Sequence, residues 1–461
     1  MSIHYSAFAI VAFVLISSTA RAVEPPAPLL PVPTPEQLAW QEREFGMFCH
    51  FGINTFYDQE WGEGTEDPAR FRPTNFRARQ WVKAAKKAGM KYLVVTAKHH
   101  DGFCLFPSAH TEHSVKASPW RKGKGDVVAD VAEACRRHGI MFGFYLSPWD
   151  RHEPCYDDCA AYDAHFKNQL RELLTGYGPV GEVWFDGAGT EGHVYDWPAY
   201  YALIRELQPH ALIAICGPDI RWVGNEQGYA PETHWNVQPR GNEKVWHPAE
   251  CDVPIRKGQW FFHTDGEKNL KSLAELVDIY YGSVGRGAVL LLNVTPDRRG
   301  LLPEVDVVRL HELQRVIAST FEDDLCAEGR PCAASNVRGN DMRFGARKAL
   351  DGDPVTYWAT DDGVTQATLE VDLGMPRTFN RAMLQEHIAF GQRVEAYEVA
   401  AQVDGEWRTV TSGTTIGYKR IDRFEDVTAR RVRLIIRKSL ACPTISRFGL
   451  FRATEEPLTN E

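Results

Sequence analysis

The sequence predicts an α/β barrel of the (β/α)8 type, irregular in places, followed by an antiparallel β-sandwich. The 461 residues exceed one ordinary domain and suit a barrel of about 250 residues with a smaller module. From Phe45 to about Thr320 short apolar runs alternate with helical patterns, the strand leading each unit. After about Glu328 the pattern changes to short alternating runs such as Leu369-Glu370-Val371-Asp372-Leu373 and Val432-Arg433-Leu434-Ile435-Ile436, divided by Gly and Asp turns.

The barrel strands are expected at 46–51, 92–97, 142–146, 182–185, 212–216 and 288–293, with one or two more between 233 and 263. Between them, Trp81, Val82, Ala85 and Ala88 share a helical face that stops at Gly89, and Val127, Val128, Val131 and Cys135 share another behind the N-cap Asp126. A helix starting near Pro303 closes the barrel. The barrel is therefore placed at 36–327 and the β-sandwich at 328–455.

Ahead of the barrel, the apolar run from Ala7 to Ile16 is too short to span a bilayer and is followed by Ala20-Arg21-Ala22. Residues 1–22 read as a signal peptide, although no Lys or Arg precedes the run, and 23–35 as a Pro-rich tail of the mature chain. The expectation is export to a periplasmic or extracellular space, with no membrane span after cleavage.

Composition narrows the function classes. With 44% hydrophobic and 25% charged residues the chain belongs with soluble globular proteins. A net charge of -9 and the lack of a basic run exclude a phosphate backbone as partner. Among the 10 cysteines, the closest pairs, Cys155 with Cys159 and Cys326 with Cys332, lack zinc-site spacing, and buried free thiols are the simplest reading of the others. Lys122-Gly123-Lys124-Gly125 lacks the spacing of a phosphate loop, so no cofactor is expected.

In a parallel barrel the active site forms where strands end, so polar residues closing an apolar strand are the candidates. Here those are His50, the run Lys98-His99-His100-Asp101-Gly102-Phe103, Tyr145 and Asp186. Each alone is more often a structural residue than a catalyst; it is their convergence on one pocket that points to chemistry. Adjacent residues on an extended segment point apart, so His99 and His100 are not expected to share a metal. Mixed donors and acceptors suit a neutral polyol instead. Acetal hydrolysis needs one carboxylate at the anomeric carbon and a second carboxyl group for the departing oxygen. Asp186, after the apolar run Val183-Trp184-Phe185 and before a permissive Gly187, fits the first role.

These motifs, with Gly46-Met47-Phe48-Cys49-His50-Phe51-Gly52, Glu60-Trp61-Gly62, Trp184-Phe185-Asp186-Gly187, Arg221-Trp222-Val223-Gly224-Asn225-Glu226 and Leu291-Leu292-Asn293-Val294, resemble the α-L-fucosidases of glycoside hydrolase family 29 over nearly the whole mature chain. The resemblance implies a retaining mechanism through a covalent fucosyl-enzyme, with Asp186 as nucleophile. It implies that His50, Glu60, Trp61, His99, His100, Tyr145, Trp184 and Arg221 hold the fucose of a fucosylated oligosaccharide or glycoconjugate. It also points to the branch acting on α-1,3 and α-1,4 linkages, with Glu226 as acid/base and Glu232 as the alternative. A non-catalytic sugar-binding protein and a retaining glycosidase for another sugar, such as α-galactose, are the rival readings.

In the C-terminal module, Ala349-Leu350-Asp351-Gly352-Asp353 and Tyr357-Trp358-Ala359 resemble a discoidin-like β-sandwich, expected to buttress the barrel more than to bind sugar itself. The sequon Asn293-Val294-Thr295 falls on a strand end and is expected to stay unglycosylated.

Overall fold

A computed structural model describes residues 22–327 and 329–453, so the expected leader lies outside the described residues apart from Ala22. The Pro-rich segment is no free tail. Arg338 Nε donates to Glu24 O at 2.6 Å, Arg393 Nη2 to Ala27 O at 2.7 Å and Leu29 N to Phe390 O at 2.8 Å, all on the C-terminal module. Proline-rich backbone is poor in donors but keeps its carbonyls, and these arginines collect them. The strap leads into α1 (Pro35–Gln41), closed by a Thr34–Gln37 capping box. α1 lays Trp40 across the N-terminal end of the barrel, where its Nε1 donates to Glu182 at 2.9 Å.

The first half of the barrel is regular. It runs β1 (Phe45–Cys49), α2 (Ile53–Tyr57), α3 (Ala78–Lys87), β2 (Tyr92–Lys98), α4 (Val127–His138), β3 (Met141–Leu146), α5 (Cys159–Gly176), β4 (Glu182–Phe185), α6 (Trp197–Leu207) and β5 (Leu212–Ile215). Trp81, Val82, Ala85 and Ala88 are buried, and Asp126 caps α4 by accepting from Ala129 N at 2.8 Å.

The second half is not. No helix joins β5 to β6 (Arg221–Trp222), and a separate hairpin of β7 (Val237–Arg240) and β8 (Glu243–Trp246) replaces the helix before β9 (Ala249–Pro254). Regularity returns with α7 (Leu273–Ser283), β10 (Val289–Asn293) and α8 (Glu304–Thr320). The eight parallel strands follow the order β5-β4-β3-β2-β1-β10-β9-β6, and the seam between β5 and β6 is closed by an isolated bridge, Ala214–Ile220, in place of a continuous ladder. Of the strands expected between 233 and 263 only β9 joins the barrel; β6 lies earlier, a two-residue strand too short to show periodicity. The seam also bends Ile215 to a φ of 68°, a left-handed conformation costly for a β-branched residue.

Side chains alternate along each strand, so one face of every strand fills the barrel. Phe48, Tyr92, Val94, Tyr145, Trp184 and Leu291 form that interior. Gly46 is required there, because a Cβ would stand 2.3 Å from the Tyr92 ring.

The module consists of β11 (Cys332–Ala334), β12 (Trp358–Ala359), β13 (Ala367–Glu386), β14 (Val394–Val403), β15 (Glu406–Gly413), β16 (Arg420–Ser439) and β17 (Thr444–Phe451), paired antiparallel. Leu369, Val371, Val432, Leu434 and Ile436 are buried as the alternation requires. The module docks on the barrel through Gln392, which accepts from Asn236 N at 2.9 Å and donates to His234 O at 2.8 Å, and through Lys419 paired with Glu44. Its motif residues serve the fold: Trp358 is buried, Tyr357 stacks on His387, and Asp351 accepts from Thr356 and Lys348. Every cysteine is a free thiol. No helix among the described residues is long and apolar enough to cross a membrane.

Candidate active site

A cavity of about 380 Å³ opens at the C-terminal ends of the barrel strands. It brings together His50, Trp61, His99, His100, Trp184, Asp186 and Glu226, with Trp222, Asp252 and Trp260 among its other walls. A larger hollow of about 500 Å³ lies at the opposite end, beside α1, but it is walled by residues such as Ala39, Ile140, Phe142 and Val180 and gathers no facing carboxyl pair.

Asp186 follows β4 on the face already taken by Glu182 and Trp184, so the two-residue period of the strand carries it inward. Its Oδ1 accepts from Ala188 N at 2.9 Å and its Oδ2 from the Tyr145 hydroxyl at 2.9 Å. Burial raises its pKa above the usual aspartate value, and the two donors partly oppose that rise. A Cβ on Gly187 would meet only Cys216 Sγ, at 3.5 Å, so this glycine leaves space on the cavity side.

The three imidazoles are neutral. Burial pushes His50 and His100 down to about 3 and His99 well below its ordinary value. Asn293 Nδ2 donates to Trp260 O at 2.9 Å, which fixes the amide so that its Oδ1 accepts from His50 N at 3.2 Å and His50 Nδ1 at 3.0 Å. His50 therefore keeps its proton on Nδ1 and presents Nε2 as an acceptor. Ser147 Oγ donates to Trp149 O at 2.6 Å, so it must accept from His100 Nδ1 at 2.7 Å. His100 Nε2 is then an unprotonated acceptor 3.8 Å from Asp186 Oδ2, and the two do not form an ion pair. Acceptors of this kind suit sugar hydroxyls.

The extended-segment argument for His99 and His100 fails. β2 ends at Lys98 and the chain turns, Gly102 N returning to His99 O at 3.0 Å, so the two rings lie 4.1 Å apart and both face the cavity. Among the described residues no group of three or more potential metal ligands forms.

Two residues that the resemblance assigns to the sugar make protein contacts and are not among the cavity walls. Glu60 spends its carboxylate on Trp260 N at 2.8 Å, Phe261 N at 3.2 Å and His263 Nε2 at 2.5 Å, which fixes the loop carrying Trp260. Arg221 donates to His247 O at 3.1 Å and does not line the cavity. Trp61 sits half exposed, edge-on to His100 at 5.4 Å.

Geometry also separates the two glutamates. Glu226 lines the cavity and accepts from Trp260 Nε1 at 3.1 Å. It is exposed, so the desolvation that an acid role calls for has to come from bound substrate. Glu232 instead pairs with Arg286 and, at 2.9 Å, with Arg420 of the module. Its role is to tie the two domains.

Asn293, Trp222, Trp260 and the inward acids of β9 were not anticipated. Glu250 accepts from Tyr92 at 2.7 Å and Trp184 at 2.8 Å, and burial raises its pKa and that of neighbouring Glu182. Glu182 Oε1 has no other donor, so the pair is satisfied when one carboxyl keeps its proton for the other. The signal was available: two acids two residues apart in an otherwise apolar strand mark one inward face.

Comparisons with known proteins identify the relatives of this chain. The alpha-L-fucosidase family model matches residues 66–319 and the F5/8 type C domain model residues 332–447. Alpha-L-fucosidase 1 of Arabidopsis thaliana is 41% identical over 96% of this chain and 92% of its own. A Ruminococcus gnavus family 29 fucosidase solved in complex with fucose superposes with a TM-score of 0.87 at 35% identity, covering 94% of this chain and 97% of that one. A family 29 glycoside hydrolase from a rumen bacterium superposes at 0.82 with 38% identity, covering 95% of this chain and 80% of its own. The chain belongs to the α-L-fucosidases of glycoside hydrolase family 29.

Proposed function

We propose that this protein is an exported, retaining exo-α-L-fucosidase that removes terminal fucose from α-1,3 and α-1,4 linkages of oligosaccharides or glycoconjugates. The observation that carries the reading is one cavity holding a buried, doubly hydrogen-bonded Asp186, a second carboxyl group in Glu226 and the acceptor nitrogens of neutral His50 and His100.

An oxygen of ionised Asp186 attacks the anomeric carbon. The bond to the glycosidic oxygen breaks, and the proton of Glu226 passes to that oxygen as it departs. While Asp186 is esterified, Glu226, having given up its proton, serves as the base for water. Water loses its proton to Glu226 and attacks the same carbon, releasing fucose with its configuration retained and Asp186 as carboxylate. His50 and His100 accept from sugar hydroxyls, and Tyr145 holds Asp186 from behind.

Linkage preference rests on the Arg221 to Glu226 run and on the exposed loop that carries it. A panel of α-1,2, α-1,3 and α-1,4 fucosylated oligosaccharides with a simple aryl fucoside tests it. The expected result is rapid release from α-1,3 and α-1,4 linkages and little from the others. Strong activity on both the α-1,2 linkage and the aryl fucoside would refute the linkage assignment, and faster release from galactosides would refute the sugar.

A further inference from the structure

Besides the imidazoles and the two carboxyl groups, the cavity carries one arrangement that the reaction leaves unused. Trp222 is 41% exposed, yet it lines the cavity and its Nε1 is anchored to Asp252 Oδ1 at 2.6 Å. Asp252 is 4% exposed and points inward from β9 on the same face as Glu250. A buried carboxyl committed to the polar edge of an exposed indole sets the ring's direction and leaves its apolar face to the cavity.

The reaction dictates what that face meets. Glu226 has to reach the glycosidic oxygen, and the leaving sugar hangs from that oxygen on the side away from Asp186. Trp222 lines the same cavity as Glu226, and Trp260 donates to Glu226 there. We infer that Trp222, oriented by Asp252, is the platform on which the leaving sugar ring stacks, its C–H face against the indole. The platform thus selects substrates whose fucose is attached to a pyranose ring. This rests on the fucosidase reading and deepens it.

Trp222 would touch substrate; Asp252 is a positioning residue that acts through it. Burial, then Glu250, raises the Asp252 pKa well above the aspartate range, and a neutral carboxyl still accepts from an indole through its carbonyl oxygen. Asparagine can therefore substitute for it and leucine cannot.

The test compares two substrates, an α-1,3/1,4-fucosylated trisaccharide and fucosyl fluoride, which has no leaving sugar. For Trp222→Ala the ratio of kcat/KM on the trisaccharide to that on the fluoride should fall about tenfold, mainly through KM. Asp252→Leu should share that fall and Asp252→Asn should restore the wild-type ratio. An unchanged ratio in Trp222→Ala, or an equal loss on both substrates, overturns the platform. An Asp252→Asn variant as impaired as Asp252→Leu overturns the role of Asp252. A wild-type protein inactive on both substrates overturns the fucosidase reading itself, and the platform with it.

Discussion

The two halves of the barrel treat their carboxyl groups differently. In the regular half, each strand is followed by a helix, and Asp186 stands on a strand end, buried and held by Ala188 N and Tyr145. Around β6 no helix precedes or follows the strand, and Glu226 stands exposed on a loop with one indole contact, to Trp260. As the proposed nucleophile, Asp186 must meet one carbon at one angle and is set in rigid structure. As the proposed acid, Glu226 must reach an oxygen whose far side differs between substrates, and it is set where loops can differ. Rigidity and specificity are thus divided between the halves.

Removing the rigid carboxyl should have the largest effect. Asp186→Ala is expected to lose about a thousandfold or more of kcat/KM on any fucoside. Azide should then yield β-fucosyl azide, the inverted product, detectable by NMR. Retained α-azide from this variant would transfer the nucleophile role elsewhere. Glu226→Gln should lose about a hundredfold on oligosaccharides and far less on fucosyl fluoride, whose leaving group needs no proton. Equal losses on both substrates would erase the distinction between the halves.

A smaller effect is expected from Tyr145→Phe, about tenfold, because one donor to Asp186 is lost. Asp186 must be ionised to attack, so activity falls as pH drops through its raised pKa. The Tyr145 hydroxyl stabilises the anion, so its removal should move the acid limb of the kcat/KM profile to higher pH. An acid limb that stays in place would detach Tyr145 from the nucleophile.

The smallest effect concerns the barrel floor. Burial raises Glu250, so the folded state holds a proton that the unfolded chain releases, and stability is lost as pH rises towards the folded pKa. Glu250→Gln should therefore melt about 2 °C less steeply than wild type between about pH 5 and 7. Parallel melting curves across that range would show that Glu250 is ionised throughout.

Legibility in the sequence follows the same division. β2 and β4 are seven and four buried residues in a row, and their polar ends announced His99, His100 and Asp186 without tertiary information. β6, two residues between loops, left no period to read. What holds Glu60 in place was not legible, because its partners, Trp260, Phe261 and His263, are about two hundred positions away. Asn293 reads locally as a glycosylation sequon, whereas in the fold it is buried and sets the tautomer of His50. A motif identifies a residue as special; its partners decide in what way.

The strap of residues 23 to 30 bears on the order in which the molecule completes itself. Ala27 joins Arg393 across 366 positions, among the longest chain closures in the protein. Such contacts form late, because closure entropy has to be met before they contribute. A segment made before the barrel thus finds its seat only after the module that follows the barrel has formed, only a few residues ahead of the helix that covers the barrel floor. Final consolidation of the barrel is in this way tied to arrival of the β-sandwich.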